Sequence, residues 1–574
     1  MTMDRTAIAR VLDQIAAHLD LKRENPFRVR AFRNAARAVA TLPSDPAAML
    51  ADGSLADGKG LGAGTLAIVR ELVETGRAGM LDELREEVPA GLVEMLSISG
   101  LGVARVRQIR DGLGIDTIPE LELAARDGRL AALQGFGPRT AEGVLKGIAR
   151  LRQASVYLLA HHAAEEAELL RAALARVPGV AGAIVAGDVR RRCEIVGEIV
   201  VILIAEIPAA DVFRALLDVP GIEEFGEQDE RRATLELAGG KRARVVVTPA
   251  RNLGAVLVQA TGHRSHLEAL AARARSRGYT FEGAALWHGS EFVATPDEAA
   301  VYQALGLPLI PPELREGRDE IALAEAGLPR LVDRADLQGF LHCHTLYSDG
   351  TLSVIDLATA VRDAGYRYIG ITDHSHEAAY AGGLTVADLA RQWVEVDAAN
   401  AELRGIRVLK GIEADILADG RLDYDDEVLA NFDFVIASIH SRYQMGREDM
   451  TARVLRALGN RRVTIFGHPT GRLLLSRDPY PLDLERIFAF AAEQGVAIEI
   501  NADPNRLDLD WRMLGAARAA GVMISIGADA HNAAGIANVD LGIGVARKGG
   551  LTAANVLNTR SVEDFLGFAK RRAG

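Results

Sequence analysis

The chain has 574 residues, 49% of them hydrophobic and 25% charged, which predicts a globular protein of several domains. Its only cysteines, Cys193 and Cys343, exclude a disulfide framework. The formal net charge of −12 argues against a nucleic-acid partner bound across the whole surface, so any DNA-binding surface must be local.

Targeting signals are not found in the sequence. No run reaches the ~18 apolar residues of a membrane span, and no signal-peptide pattern opens the chain. We therefore expect a cytoplasmic protein with no membrane partner. The oligomeric state does not follow from the sequence, and we expect a monomer.

A basic helical stretch over residues 22–37 is the first predicted feature. It carries six basic residues against a single acidic one, with Phe27 and Phe32 interleaved. Such a pattern is typical of an amphipathic helix whose basic face is either solvated or bound to DNA. Arg28 and Arg33 are the candidate DNA contacts.

Three Gly-apolar-Gly turns follow, each before a short predicted helix. They are Gly60-Leu61-Gly62 before residues 65–74, Gly100-Leu101-Gly102 before 103–112, and Gly135-Phe136-Gly137 before 140–151. Glycine allows close approach of the backbone, so that amides at the next helix start face a phosphate without reading bases. The turns resemble helix-hairpin-helix motifs, and we predict a helical DNA-binding region over residues 1–150.

The next segment, residues 151–317, resembles a polymerase core. The runs 186–191 and 194–203 resemble the palm of family X DNA polymerases, and residues 304–316 resemble the segment that ends that family's core. The resemblance implies an α+β nucleotidyltransferase-like palm and thumb.

The palm departs from its family at the positions that matter for catalysis. In the family, two aspartates on one strand and a third on a neighbouring strand hold two magnesium ions; here these positions are Glu198, Val200 and, near the third, Arg242. Asp188 replaces a phosphate-holding serine, and the Tyr-Phe-Thr-Gly element that positions the incoming sugar reads Gln259-Ala260-Thr261-Gly262. Valine cannot bind a metal and arginine repels one. We therefore predict a palm that lacks magnesium and polymerase activity and serves as a DNA-holding scaffold.

After a linker over residues 318–335, residues 336–574 alternate strands with amphipathic helices. Side chains alternate faces along a strand, so His342 and His344 of the first strand point the same way. The six later strands, 368–372, 408–412, 434–439, 463–467, 496–500 and 523–528, run into Asp373-His374, Glu413, His440, His468, Asn501 and Asp529-Ala530-His531. This arrangement is typical of a parallel α/β barrel, in which the strand ends converge on one face.

These strand-end motifs resemble the metal-binding motifs of the PHP (polymerase and histidinol phosphatase) domain. The chain from near residue 1 to near 570 resembles the bacterial family X DNA polymerases with a C-terminal PHP exonuclease domain. The resemblance implies a distorted (β/α)7 barrel with three divalent metal ions and nine ligands: His342, His344, Asp349, His374, Glu413, His440, His468, Asp529 and His531. The implied sets are His342, His344, Glu413 and Asp529; Asp349, His374 and His468; and Glu413, His440 and His531.

The ligand chemistry agrees with a phosphoesterase. Mixed imidazole and carboxylate ligands favour zinc, manganese or iron over magnesium. Closely spaced ions can activate a water and neutralise the oxygens of a phosphoester, so the expected nucleophile is not a side chain. Arg442 and Arg506 follow ligand-bearing strands and are either phosphate-binding or solvated loop residues.

The resulting hypothesis is a nucleoid-associated DNA-repair phosphoesterase. It would act as a 3′-5′ exonuclease on gapped, nicked or single-stranded 3′ ends, and the resemblance also implies abasic-site cleavage and 3′-phosphate removal. The alternatives are an active gap-filling polymerase with an associated exonuclease, a non-catalytic DNA-end binder, and a small-molecule phosphatase. The helix-hairpin-helix array disfavours the last of these.

Overall fold

The structure is a computed structural model that describes residues 3, 5–40, 42, 46–57, 61–237 and 241–571. Two compact units divide the chain, Met1–Ser155 and Val156–Gly574. Within the described ranges, no helix combines the length and the apolar composition that a membrane crossing needs.

The first unit is helical throughout its described residues. Its helices α1–α10 are Arg5–Leu21, Pro26–Ala40, Pro46–Ala51, Ala63–Thr75, Gly79–Glu87, Ala90–Met95, Val103–Leu113, Ile118–Arg126, Arg129–Ala132 and Pro138–Val156. Their apolar faces form two cores, one around Leu12 and Leu72 and the other around Ile109 and Leu121. The predicted helical N-terminal region is confirmed.

The second and third glycine turns connect helices as predicted. They join α6 to α7 and α9 to α10. Gly100 and Gly135 have φ values of +86° and +80°, a region in which a side chain would be strained. In each turn the residue between the glycines donates its N–H to a carbonyl three residues back, at 2.9 Å. The two turns therefore have the same hydrogen-bonded form.

The second unit opens with the predicted α+β palm. Its elements are β1 (Leu158–Leu159), α11 (Ala160–Leu174), β2 (Gly182–Ala186), α12 (Gly187–Arg190), β3 (Ile195–Val196), β4 (Ile199–Ile204), α13 (Ala209–Leu216), β5 (Ile222–Gln228), β6 (Arg232–Leu237) and β7 (Lys241–Thr248). The main sheet has the order β2-β4-β7-β6-β5. Only β4 and β7 pair in parallel. One face of this sheet packs against α11 and α13, and the other carries Val200, Ile202 and Val246.

A mainly helical thumb follows the palm. It comprises α14 (Leu253–Thr261), α15 (Arg264–Ser276), β8 (Tyr279–Glu282), β9 (Ala285–His288), β10 (Glu291–Val293), α16 (Glu298–Ala304) and α17 (Glu320–Ala326). The three strands form a small sheet of their own. Buried Tyr302 and Leu270 belong to the apolar core that joins the thumb helices.

The C-terminal part is a closed barrel of seven parallel strands. The strands β11–β17 are Gly339–Cys343, Tyr368–Ile371, Arg407–Asp415, Phe434–Ser438, Val463–Phe466, Ala497–Asn501 and Ile524–Ala530. The helices α18–α25 are Val354–Asp363, Val386–Glu402, Asp426–Leu429, Arg447–Leu458, Leu484–Gln494, Leu514–Ala519, Val539–Lys548 and Val562–Lys570. The first strand pairs with the last, and register shifts in two strand pairs distort the barrel. The predicted (β/α)7 barrel is confirmed.

The bottom of the barrel is filled with apolar side chains. Phe565 of α25 packs against Tyr368 and Phe434, with ring centroids 5.4 and 5.3 Å apart. Leu341 and Ile436 join the same cluster. Because this end is closed by apolar packing, the polar strand ends lie at the opposite, carboxyl-terminal face, as in other parallel α/β barrels.

Candidate metal centre

All nine predicted ligands lie together at the carboxyl ends of the barrel strands. Each has a nitrogen or oxygen within 3.3 Å of an atom of another member of the set. Three groups of side chains place one potential ligand atom each within 4.8 Å of one another: His344, Asp349, His374 and His531; His342, His344 and Asp529; and His374, Glu413 and His440. These clusters have the chemistry and spacing to hold divalent metals.

Glu413 lies at the middle of the set. Its buried carboxylate is within 3.3 Å of imidazole nitrogens of His342, His374, His440 and His468. Burial alone raises the pKa of this carboxyl, but the surrounding imidazoles hold it well below its ordinary value. An ionised carboxylate in this position can serve two neighbouring ions at once.

Two histidines occupy different places from those implied by the resemblance. His468 Nε2 is 2.9 Å from Glu413 and 3.3 Å from His440 Nε2, whereas the implied grouping put His468 with Asp349. His531 Nε2 is instead the imidazole next to Asp349, at 3.3 Å. The implied partners of His468 and His531 are thus exchanged. The cause is the strand order: β14 is the neighbour of β15, and β17 closes the barrel against β11.

Unsatisfied buried atoms indicate that the centre is built for cations. Among the described residues, four buried ring nitrogens and one carboxylate oxygen form no hydrogen bond of good geometry, although His374 Nδ1 lies 2.9 Å from Glu413 Oε2: His342 Nε2, His344 Nδ1, His374 Nδ1, His468 Nδ1 and Glu413 Oε2. A buried polar atom without a hydrogen bond is costly, and several in one cluster favour a bound cation. The residues present therefore fit divalent metal ions.

The pKa values of His440 and His531 indicate that the neighbouring carboxylates favour positive charge in the centre. Burial opposes protonation of His440, yet Glu413 raises its pKa to about 10. Burial also opposes protonation of His531, but the hydrogen bond with Asp349 raises its pKa to about 9. Burial and neighbouring imidazoles lower the pKa of His344 to about 4. The carboxylates thus hold cations in the centre, a role that divalent metals can take.

Three of the candidate ligands have a left-handed backbone. The φ values are +59° at His342, +22° at His468 and +50° at Asp529. Residues with a Cβ avoid this region unless the surrounding structure enforces it, and such strain is concentrated at functional sites. The backbone here is adapted to aim these side chains into the centre.

Glu499 is a supporting residue that the sequence reading missed. It is buried in β16, where its Oε1 accepts from His342 Nδ1 at 2.6 Å and its Oε2 accepts from the His468 N–H at 2.7 Å. A Cβ at Gly527 would lie 1.8 Å from the same carboxylate, so a side chain there would displace Glu499 from this position. A carboxylate within an apolar strand was the sequence signal for this role. By fixing one ring nitrogen as a donor, Glu499 leaves His342 Nε2 free for a metal.

Two further polar residues orient ligands, and a third holds a loop. Asp415 accepts from His440 Nδ1 at 2.5 Å, and Asn501 Nδ2 donates to Asp529 Oδ2 at 3.0 Å. Asp373, immediately before a ligand, accepts from the backbone N–H that follows His344, at 2.7 Å. Such outer contacts restrict the rotamers and tautomers of the ligands.

The centre is closed on one side and open on the other. The His342 side chain is fully buried, whereas those of Asp349 and His531 are 36% and 35% exposed. Arg506, one of the two candidate phosphate-binding residues, has its Nε 3.9 Å from Asp529 Oδ2. Arg442 is exposed in the loop after β14. The centre is therefore accessible to solvent at Asp349 and His531.

In the palm, an ion pair lies where the sequence suggested a lost metal site. Arg244 Nη2 is 2.9 Å from Glu198 Oε2, and Val200 beside them is buried among apolar side chains. Arg242, the predicted occupant of the third position, is exposed and pairs with Glu236. The arginine beside Glu198 and Val200 is thus Arg244, two residues farther along β7 than the predicted Arg242.

The Asp188 carboxylate forms an ion pair within the palm. Its carboxylate accepts from Arg191 Nη2 at 2.6 Å. The neighbouring Arg190 forms a two-pronged ion pair with Glu298, at 2.7 and 2.6 Å. Arg190 and Arg191 are therefore both engaged by carboxylates of the chain itself.

The two candidate DNA-contact arginines of the first unit differ in exposure and in pairing with acidic residues. Arg28 is exposed, 3.8 Å from Glu24, whereas Arg33 is bound to Asp20 at 2.7 Å. Phe32 belongs to the apolar core. Phe27 is exposed, so only one of the two interleaved aromatic residues faces solvent.

The glycines that precede α4, α7 and α10 leave space for a ligand. A Cβ on Gly62, Gly102 or Gly137 would have no other heavy atom within 4 Å. Gly60 lies outside the described residues. Open space in front of a helix start is compatible with a phosphate at its backbone amides.

Four protein-family profiles match the chain. They are a helix-hairpin-helix domain at residues 3–78, a SAM-like helix-hairpin-helix tandem at 92–150, the DNA polymerase beta thumb at 256–316 and the PHP domain at 341–503. The order of these matches along the chain agrees with the helical unit, the thumb and the barrel of the structure.

Relatives with curated names cover the whole chain or part of it. "DNA polymerase/3′-5′ exonuclease PolX" of Bacillus subtilis (strain 168) is 34% identical over 574 residues, which cover 99% of this chain and 100% of that protein. A "Probable phosphatase" of Caldanaerobacter subterraneus subsp. tengcongensis is 30% identical over 249 residues, 41% of this chain and 92% of that protein. Another, from Edwardsiella ictaluri, is 31% identical over 39% of this chain and 92% of its own. The chain belongs to the family X DNA polymerases with a C-terminal PHP domain.

Proposed function

We propose that the barrel is a metal-dependent phosphodiesterase that removes nucleotides from 3′ ends of DNA. The observation that carries this proposal is the cluster of nine histidine, aspartate and glutamate side chains with unpartnered buried atoms at the strand ends. The full-length relative from Bacillus subtilis is named a 3′-5′ exonuclease, which supports the direction of cleavage.

Three divalent ions, zinc, manganese or iron, would complete the centre. The proposed ligand sets follow the contacts in the structure: His342, His344, Glu413 and Asp529; Asp349, His374 and His531; and Glu413, His440 and His468. Bound ions would supply an activated water and neutralise charge on the phosphoester.

The protein residues position the reacting groups. Glu499 and Asp415 fix the tautomers of His342 and His440, so that the free nitrogens face the centre. Arg506 is close enough to the centre to orient a phosphate oxygen of the substrate. The exposed side at Asp349 admits the strand end.

For the palm we propose a scaffold function without nucleotide addition. Arg244 carries a fixed positive charge within hydrogen-bonding distance of Glu198, and buried Val200 offers no ligand atom. A magnesium ion at this position would be repelled by the guanidinium and would lack a full set of oxygen ligands.

We further propose that the chain divides its work among domains. Residues 1–150 would bind the DNA, residues 151–317 would continue the binding surface, residues 318–335 would link, and residues 336–574 would cleave. Gapped, nicked and single-stranded 3′ ends are the proposed substrates, with abasic sites and 3′-phosphates as additional ones. Relatives named as phosphatases support the phosphomonoester activity. Such an enzyme would act in the cytoplasm, at the nucleoid.

One experiment separates this function from its alternatives. Gapped DNA labelled at the 5′ end is incubated with the protein and manganese, with and without the four nucleotides. We expect the labelled strand to shorten under both conditions. Lengthening with nucleotides would favour the gap-filling polymerase, and an unchanged strand that is still bound would favour the non-catalytic DNA-end binder.

A further inference from the structure

Tyr380 is an exposed aromatic residue beside the metal centre. It lies between β12 and α19 in a short 3-10 turn, Ala379–Ala381, and is 73% exposed. Single exposed apolar residues are common on protein surfaces, so exposure alone does not indicate a role. The position of the ring is what distinguishes this residue.

The Tyr380 ring stands next to two candidate metal ligands. Its centroid is 6.2 Å from the ring centroids of both His374 and His440. His374 also lies 3.6 Å from Asp349, on the open side of the centre. The exposed ring is therefore adjacent to the side from which a phosphoester would enter.

The loop that carries Tyr380 is fixed to the ligand-bearing strand end. The Leu384 N–H donates to the His374 carbonyl at 2.9 Å, and the Gly383 N–H donates to the Ala378 carbonyl at 3.1 Å. A Cβ on Gly383 would lie 2.0 Å from the Ser375 carbonyl oxygen, so the two segments are in close contact. The ring is held in place rather than carried on a long free loop.

We propose that Tyr380 stacks on the base of the 3′-terminal nucleotide, the one that is removed. This inference rests on the proposed exonuclease function. When the last phosphodiester lies at the centre, the base of the terminal nucleotide is one sugar away, beside the rim on which Tyr380 stands. Aromatic stacking tolerates any sequence because every base has a π-face, which suits an enzyme that removes successive nucleotides.

The inference predicts a specific kinetic effect of removing the ring. Stacking would be present in both the bound substrate and the transition state, so its loss raises KM and leaves kcat unchanged. Base–aromatic stacking contributes about 1–3 kcal/mol, so Tyr380→Ala should raise KM roughly 5- to 140-fold. Tyr380→Phe should stay near wild type, and Tyr380→Leu should behave like alanine. Val394→Ala, at a site 69% exposed on α19, is the control without effect.

A substrate whose terminal nucleotide lacks its base tests the pairing directly. On this substrate, the KM of the wild-type protein should rise by the same factor as the KM of Tyr380→Ala rises on normal DNA. Tyr380→Ala on the substrate without the base should show no further rise in KM, because the substitution and the missing base remove the same contact. Additive losses would overturn the stacking assignment.

A binding measurement without catalysis completes the test. DNA that ends in 2-aminopurine is mixed with the protein in a chelator, and stacking on Tyr380 should quench its fluorescence in wild type and Tyr380→Phe but not in Tyr380→Ala. A strand that wild type leaves intact in manganese overturns the proposed function and this inference with it. A strand that wild type shortens, with KM and quenching unchanged in Tyr380→Ala, overturns the inference alone.

Discussion

Arg244 Nη2, on β7, lies 2.9 Å from Oε2 of Glu198, the residue immediately before β4, and β4 pairs with β7 in parallel. The guanidinium thus occupies the neighbourhood in which the family holds magnesium with carboxylates. In the proposed scaffold, the Arg244 guanidinium takes the place of that magnesium ion.

A single restored carboxylate should not recover polymerase activity. Val200→Asp leaves Arg244 next to the site, and a like charge at ~4 Å costs about 1–4 kcal/mol between aqueous and surface-like dielectric. We expect no primer extension on a gapped template with four nucleotides, from wild type or from this variant. Each is assayed in a His440→Ala background, so that the barrel does not erase added nucleotides.

The second arginine provides a matched control. Val200→Asp with Arg244→Asp should bind manganese in the palm, whereas Val200→Asp with Arg242→Asp should not, because Arg242 is turned toward Glu236. Primer extension by the unaltered palm in the His440→Ala background would show that these strands are assigned to the wrong catalytic positions.

Loss of the first histidine pair should remove metal from the barrel. Gently purified wild-type protein is expected to contain more than one transition metal ion per chain. His342→Ala with His344→Ala should lose much of it, because these side chains supply half of one proposed ligand set. Elemental analysis measures the content, and His161→Ala with His162→Ala removes two imidazoles outside the centre as the control. Equal content in both double variants would refute the ligand assignment.

Glu499→Gln should weaken metal binding although Glu499 is not a proposed ligand. The amide cannot accept from both His342 Nδ1 and the His468 N–H, so the orientation of the ligands is lost. Loss of such a partner typically costs 10–100-fold in metal affinity. Competition with a chromogenic chelator measures the affinity, and a value equal to wild type would rule out a positioning role.

DNA binding should survive removal of the metal and fall steeply with salt. We propose that the glycine turns and the basic helix carry this binding, and phosphate contacts release counterions. Arg28→Ala should weaken binding and reduce the salt slope by about 1, whereas Arg33→Ala should have less effect because Asp20 already binds its guanidinium. Fluorescence anisotropy across a salt series, in the presence of a chelator, measures the affinity for DNA and its dependence on salt. Salt-independent binding would mean that the helical unit does not hold the phosphate backbone.

Glu316 should make the palm–barrel contact sensitive to acid. Its carboxylate accepts from Arg191 Nε at 2.9 Å and from Lys548, whose side chain is 1% exposed. Burial alone raises the pKa of Glu316, but Lys548 and Arg191 hold it below the ordinary 4.5. The stabilisation is therefore present above pH 4.5 and is lost as the pH falls through the lower folded-state pKa.

Glu316→Gln tests whether this stabilisation is lost as the pH falls. Near neutral pH it should lower the free energy of unfolding by about 3–5 kcal/mol, because buried Lys548 loses its carboxylate partner and Arg191 keeps only Asp188. The difference in Tm from wild type should shrink as the pH is lowered below the carboxyl's ordinary value. Glu268→Gln, in an exposed pair with Arg264, is the control with no such effect. A difference in Tm that does not change with pH would contradict the titration of Glu316.

The sequence alone determined the barrel and most of the candidate centre. Short β-branched runs that end in a histidine or carboxylate are local patterns, and parallel strands bring their carboxyl ends to one face. His374, Glu413 and His440 could therefore be assigned to a common site before any distance was known. The glycine turns were predictable for the same reason, since a positive φ at Gly100 is a local requirement.

Only the tertiary structure decided which groups are partners. His531 meets Asp349 because β17 closes on β11, and His468 meets His440 because β15 lies beside β14. The register of β4 with β7 likewise selects Arg244 as the partner of Glu198. Strand order, barrel closure and register are properties of pairing between distant segments, whereas side-chain alternation belongs to each strand by itself.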